Sequence, residues 1–377
     1  LTFFTMWENT YLTATIVLKN KGEIMKLQNL DTPALFVDAK VLQQNIAAMD
    51  ELLKGSSLKL RPHYKSHKCA LLAHMQIKNG AKGMTCAKLS EALDLADCGI
   101  NDILIANQIT DDKKIRRLAD LAGDCRLTVC VDNEENIAKL SEAAKNAGNT
   151  IYCLIEYEIG MKRCGVSSDE KVLELAKLIN ASDNLEFDGI QAYAGHISHM
   201  VSMEEREALT MENHKKVESL VKYLKENGIE VKVISGGSTG TASIKAKAGL
   251  YNELQAGSYL FMDSTYKDLE LPFKNSLFIL TTVVSKRDGL TVVDAGVKTC
   301  GVDQGMPQVV GHSVKEIVAS EEHFQLHGLD GDVKLSEKLV LVPGHCCSTV
   351  NLYDKIYVVS DGEVVDRIPI TARGFGK

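Results

Sequence analysis

Between Thr32 and about Phe261, short apolar runs alternate with stretches of helical period. "PALFVD" precedes "AKVLQQNIAAMDELL", "LKLRPHYK" precedes "CALLAHMQIKNG", and "AKGMTCA" precedes "KLSEALDLADCGI". "DILIANQ", "LTVCVD", "IYCLIEYEIG", "FDGIQAYAG" and "EVKVISGGSTGT" each lead into a further helical stretch. Strands of this length separated by helices require right-handed parallel crossovers. About eight such units over roughly 230 residues match a (β/α)8 TIM-type barrel, placed at residues 25–264, with an open doubly wound sheet as the alternative.

After Asp263 the texture changes to "FILTTVVSKRDGLTVVDAG", "EKLVLVPGH" and "DKIYVVSDGEVVDRIPI", short β-rich runs separated by Gly and Asp turns. A mainly β C-terminal domain is expected over 265–377, which the N-terminal strand is a candidate to join. Residues 1–24 precede Met25 and a conventional protein start, and are read as an N-terminal extension.

Charge narrows the partners. The formal net charge is -7, with basic residues spread throughout, so there is no positive field for nucleic acid or for a membrane surface. The opening residues are interrupted by Glu8, Asn9 and Lys19, which makes a poor signal peptide or membrane span. Ten cysteines scattered without a CxxC pair imply reduced thiols and a cytoplasmic protein.

"LRPHYKSHKCALLAH" sets His63, Lys65, His67 and Lys68 within six positions, with no acidic residue in the stretch. Catalytic groups of a barrel sit at the C-terminal ends of its strands. Lys65 falls there, and strand alternation would give His63 the same face. Positive neighbours and partial burial would depress the amine's pKa and keep it nucleophilic toward a carbonyl. "SGGSTGT", residues 235–241, follows "VKVI" and has the small residues that let backbone N–H groups converge on a phosphate, helped by the hydroxyls of Ser238, Thr239 and Thr241. "ELQAGSYLFMD" offers a second small-residue loop at Gly257 and Ser258. Phosphate in barrels is frequently gripped by the loops after the last two strands. A lysine on an early strand with a phosphate grip on the late ones suggests pyridoxal 5'-phosphate held as a Schiff base.

"PGHCCSTVNLYD" puts His345 and Cys347 two residues apart, on one face of an extended segment. Imidazole and thiolate at that spacing can hold a divalent metal, and thiolate favours zinc, with manganese or magnesium as alternatives. Cys346 would point the other way. His196 and His199 in "QAYAGHISHM" are both candidates for a general base, and Arg163 in "EIGMKRCGV" is a candidate donor to a cofactor ring oxygen.

Taken in order, "LDTPALFVD", "LRPHYKSHK", "GMTCAKLSEALDLADCGINDILIANQ", "IGMKRCGV", "SGGSTGT", "ELQAGSYLFMD" and "PGHCCSTVNLYD" resemble the D-threonine aldolase and D-serine dehydratase family of pyridoxal-phosphate enzymes. The similarity runs from about Leu30 to the C-terminus. It implies an alanine-racemase-like barrel followed by a β domain, a homodimer, and a metal beside the cofactor. By resemblance, Lys65 matches the Schiff-base lysine and Ser238, Thr239, Gly240, Gly257 and Ser258 the phosphate loops. Arg163 and Tyr193 match the cofactor surroundings, and His345 and Cys347 the metal pair. "DILIANQ" and "GSYLFMD" lean to the aldolase branch, whereas His-x-Cys is associated more with the dehydratase and hydroxyaspartate branches. The expected substrate is a D-β-hydroxy amino acid whose hydroxyl the metal binds. Cleavage to glycine and an aldehyde is the leading expectation and D-serine or D-3-hydroxyaspartate dehydration to a 2-oxo acid and ammonia the alternative. An amino-acid racemase and a non-catalytic cofactor-carrying protein complete the set.

Overall fold

The computed structural model describes residues 25–376, so the extension expected at 1–24 lies outside the described residues. The chain divides into two compact units. One comprises residues 46–259, 266–272 and 374–376; the other comprises 25–45, 260–265 and 273–373.

The first unit is the (β/α)8 barrel. Eight parallel strands, β2 (Lys59–Leu60), β3 (Met84–Cys86), β4 (Asp102–Ile105), β5 (Arg126–Val131), β6 (Ile151–Glu156), β7 (Leu185–Ala192), β8 (Val233–Gly236) and β9 (Glu253–Leu254), run in the order β2-β9-β8-β7-β6-β5-β4-β3. The sheet closes where Lys82 N donates to Leu60 O, Thr85 N donates to Pro62 O, and His63 bridges Thr85. Ile103, Leu127, Val129, Ile151 and Ile155 are fully buried, as strands covered on both faces require. The intervening helices begin where the sequence supplies caps. Asp111 accepts from Lys113 N and Lys114 N, Asn133 from Asn136 N, Ser168 from Lys171 N, and Ser202 from Glu205 N.

The second unit is a nine-stranded sheet. Its main path is β13 (Glu316–Ala319), β14 (Phe324–His327), β11 (Leu290–Val293), β10 (Leu277–Arg287), β1 (Ala34–Asp38), β16 (Lys355–Ser360) and β17 (Glu363–Pro369). β15 (Lys338–Val342) pairs with β10 and with β12 (Gln308–Val309). "PALFVD" therefore forms β1 of this sheet, antiparallel to β10 and parallel to β16, and is not a barrel strand. Its Ala34 and Phe36 pack with Leu30, Leu280, Val359 and Val364. A short apolar run reads the same in either sheet. The eighth barrel strand is instead the two-residue β9, in the segment "NELQAG". Among the described residues no helix is long and apolar enough to cross a membrane, and none of the ten cysteines is in a disulfide.

Gly189 shows how tightly the barrel strands are set. Its φ is +152° and a Cβ there would lie 1.9 Å from the Val233 carbonyl oxygen. Gly189→Ala should therefore lower unfolding free energy by about 3 kcal/mol, measured by urea denaturation, through overpacking and backbone strain together.

Candidate active site

The short β2 decides where the lysine goes. The chain leaves the sheet at Leu60, and Tyr64–Ser66 form one turn of 3-10 helix. Lys65 is thus on a turn at the barrel mouth and not on the strand, and the alternation expected for His63 does not apply. The His63 ring instead caps this turn, accepting from Lys65 N at 3.4 Å.

The crowding of positive groups is relieved by partners distant in sequence. Lys68, at φ +48°, places Nζ 2.6 Å from Glu91 Oε1 and 3.3 Å from the Phe375 carbonyl oxygen. The other Glu91 oxygen accepts from the N–H groups of Ala87 and Lys88, tying the lysine turn to the loop after β3. His67 Nε2 lies 3.0 Å from Gln76 Oε1, and its Nδ1 accepts from Cys69 N. Burial, reinforced by Lys65, His67, Lys68 and Arg163, holds the His63 imidazole well below its ordinary range, so the ring is neutral. The cluster is therefore a neutral cap, an ion-paired lysine and the half-buried Lys65.

The small-residue loops converge on this turn. A Cβ at Gly257 would lie 2.2 Å from Ser66 Oγ and 3.1 Å from the His63 carbonyl oxygen. Tyr259 N, just past Ser258, donates to Thr239 Oγ1 at 3.0 Å, joining the two loops. Ser238, Thr239 and Thr241 are buried, with Ser238 Oγ 3.2 Å from Thr241 Oγ1. Thr239 and Gly240 begin a helical turn, whose first N–H groups have no acceptor within it. Gly240 itself is pressed on the histidine loop, since a Cβ there would meet Ser198 O at 2.0 Å.

Around the same mouth, the Arg163 guanidinium lies 6.0 Å from the Tyr193 ring centre. His196 abuts the loop that carries Arg163, with its Cε1 2.9 Å from where a Cβ at Gly160 would stand. His199 packs on Tyr266, ring centres 4.6 Å apart. Lys65, His63, Arg163, Tyr193, His196, His199, Ser238, Thr239, Gly240, Gly257 and Ser258 therefore all follow barrel strands at the C-terminal end.

The β unit contains the other pair. His345 is extended but Cys347 lies in the first turn of the helix Cys346–Val350, so they meet through a helix start and not through strand alternation. His345 Nδ1 is 2.8 Å from Asp303 Oδ2, and Ser348 Oγ donates to Asp303 Oδ1. Burial works to lower the His345 pKa and is outweighed by the Cys347 and Asp303 side chains, which raise it to about 9. An imidazole that donates Nδ1–H to a carboxylate keeps Nε2 for a metal, the arrangement usual around ligating histidines. Among the described residues no group of three or more His, Cys, Asp or Glu side chains is assembled to hold a metal. Cys346 is fully buried, its Sγ 3.9 Å from that of Cys347.

Sequence patterns did not single out Glu156, Gln191, Gln255 or Asp303. Asp303 lies 42 residues from His345, and the others lie at or just past the ends of barrel strands whose neighbours only folding supplies.

The comparisons with known proteins agree with this architecture. The family model "Alanine racemase, N-terminal domain" matches residues 37–265, and "Putative serine dehydratase domain" matches 276–359. A 3-hydroxy-D-aspartate aldolase of Paracoccus denitrificans (strain Pd 1222) is 40% identical over 93% of this chain and 94% of its own. A D-threonine aldolase of an Arthrobacter species is 39% identical over 93% and 95%. The crystal structure of D-threonine aldolase from Filomicrobium marinum superimposes with a TM-score of 0.90 at 36% identity, covering 94% of this chain and 99% of that one. A D-threo-3-hydroxyaspartate dehydratase of Delftia is more distant, 27% identical over 86% and 92%.

Two outcomes follow from the lysine turn. Lys68→Met leaves the buried Glu91 without its cation and should cost about 3–5 kcal/mol in urea denaturation. His63 binds its proton more weakly folded than unfolded. The part of the coenzyme-free protein's stability that depends on His63 should therefore be complete above pH about 6.5 and be lost below it, with a slope of at most about 1.4 kcal/mol per pH unit. In His63→Asn that slope should be shallower than in the wild type, with His214, another ring whose pKa burial lowers, contributing to what remains.

Proposed function

This chain belongs to the D-threonine aldolase and D-serine dehydratase family, and from that premise we propose that it is a pyridoxal-phosphate-dependent lyase cleaving D-β-hydroxy amino acids to glycine and an aldehyde. The observation that carries the proposal is the contact of the Lys65 turn with the Gly257 loop, which makes a reactive amine and a phosphate cradle neighbours. Aldolases at about 40% identity, against 27% for a dehydratase, support the cleavage branch.

The residues fit the coenzyme by their own chemistry. Without side chains, Gly240 can press on Ser198 and Gly257 on Ser66, which brings both loops close to the lysine turn and the histidine loop, and Ser238, Thr239 and Ser258 add hydroxyls where a phosphate would be held. Lys65 is the attachment amine, Arg163 the donor to the ring oxygen, and Tyr193 and the neutral His63 flank them. Bound there, pyridoxal phosphate supplies the electron sink for the charge left on Cα when Cα–Cβ breaks. His196 or His199 takes the proton of the β-hydroxyl, since a neutral imidazole suits that transfer near neutral pH. His345 and Cys347 fit a divalent metal, zinc by the softness of the thiolate, with Asp303 orienting the imidazole. A homodimer and a cytoplasmic location complete the proposal, and light scattering at twice the chain's mass tests the first.

Incubation with D-threonine, with and without a chelator, decides the reaction. Glycine plus acetaldehyde, lost on chelation, is the expected result. A 2-oxo acid would establish dehydration, and metal-independent racemised threonine a racemase. Lys65→Ala should lose the visible absorption of the bound coenzyme and about 10³-fold or more of the activity; persistence of that absorption would reject Lys65.

A further inference from the structure

Beneath the barrel mouth lies a buried polar layer that the mechanism above leaves unused. Glu156 ends β6, Gln191 is its register partner on β7, and Ser235 is the partner of Gln191 on β8. Gln255 follows β9. All four are at most 6% exposed. Each also precedes a candidate site residue by a few positions: Glu156 comes before Arg163, Gln191 before Tyr193, Ser235 before Ser238, and Gln255 before Gly257.

The hydrogen bonds of this layer have a direction. Gln108 Nε2 donates to Glu156 Oε2 at 2.6 Å, and the Gln191 side chain also donates to Glu156. Gln255 Nε2 donates both to Gln191 Oε1 at 2.8 Å and to Ser235 Oγ at 3.0 Å. An ionised carboxylate only accepts, whereas a carboxamide can present either end. Glu156 therefore draws the amino groups of Gln108 and Gln191 toward itself. Gln191 must then offer its carbonyl oxygen to Gln255, whose own two N–H groups are consumed. Gln108 accepts a cost for this arrangement, since its Oε1 is buried with no hydrogen-bond partner. The carboxylate, and not the comfort of the amides, sets the orientation.

Resting on the proposed coenzyme, we propose that Glu156 is a positioning residue that fixes the polarity of this layer, so that the Gln255 carbonyl oxygen meets the coenzyme ring as an acceptor and favours its ring-protonated form. A protonated ring is the better electron sink, which is what cleavage at Cα requires. The charged and titratable groups acting on Glu156 are Arg163 and Asp132, with Cys130 and Cys164 beside them. Burial is the largest influence and raises its pKa.

The test titrates wild-type apo-protein, Glu156→Gln, Gln255→Leu and the double variant Glu156→Gln/Gln191→Glu with pyridoxal 5'-phosphate. Affinity and the pH dependence of the bound coenzyme's visible spectrum are recorded. Glu156→Gln sets amino groups against each other and should weaken binding about tenfold, with the spectral transition moving to lower pH. Gln255→Leu should do the same. In the double variant the acceptor-only group moves one strand along, Gln255 keeps its orientation, and affinity and spectrum should return to within about threefold of wild type. A wild-type spectrum and affinity in either single variant, or no recovery in the double variant, would overturn the inference. If circular dichroism shows Glu156→Gln unfolded, Gln255→Leu decides alone. Absence of coenzyme binding by the wild type would instead remove the proposed function on which the inference rests.

Discussion

Closing a parallel sheet of eight strands requires every strand to bond a neighbour on both sides, and the barrel meets this at its weakest point with a strand of two residues. β2 bonds β9 through Lys59 and Leu60, and reaches β3 only through the amides of Lys82 and Thr85 and the bridge at His63. So short a strand releases the chain early. The turn that follows therefore falls at the mouth, which puts Lys65 there and seats Ser66 against Gly257. The position of the candidate nucleophile is a by-product of how the barrel closes.

Charge is distributed around that closure with little left unpaired. Arg61, immediately after β2, is bidentate to Asp102 and also pairs with Glu253, which Lys82 contacts at 2.5 Å. It thereby ties the starts of β4 and β9 to β2. At the other end, Lys68 and Glu91 hold the lysine turn to the loop after β3. Buried pairs of this kind contribute little net stability, but removing one member is costly, so they act chiefly as constraints on geometry. Lys65 is the candidate amine of this cluster. His63, next to it, remains neutral because burial and its cationic neighbours oppose a further charge.

The two units carry different kinds of chemistry. The barrel holds the candidate amine, the candidate phosphate loops, the two candidate histidines and the polar layer ending at Glu156. The β unit supplies a compact pair, His345 and Cys347, oriented by Asp303. Aldol cleavage and dehydration on one scaffold differ in which bond of the substrate faces the base. Identity to aldolases near 40% over nearly the whole chain therefore bears on the reaction more than the His-x-Cys pattern does.

The sequence by itself determined the alternation of strands and helices and the change to β texture after Asp263, because periodicity is local. It also exposed Lys65, the two small-residue loops and His345 with Cys347, since their residue types are conspicuous in short windows. Only the tertiary structure decided that "PALFVD" belongs to the β sheet, because a five-residue apolar strand carries no mark of its partner. It alone paired Lys68 with Glu91, gave His345 its Asp303, and aligned Glu156, Gln191 and Gln255 across neighbouring strands. Those contacts join residues 23 to 64 positions apart, and hydrogen-bond partners at such separations are chosen by sheet register and barrel closure, which no local pattern encodes.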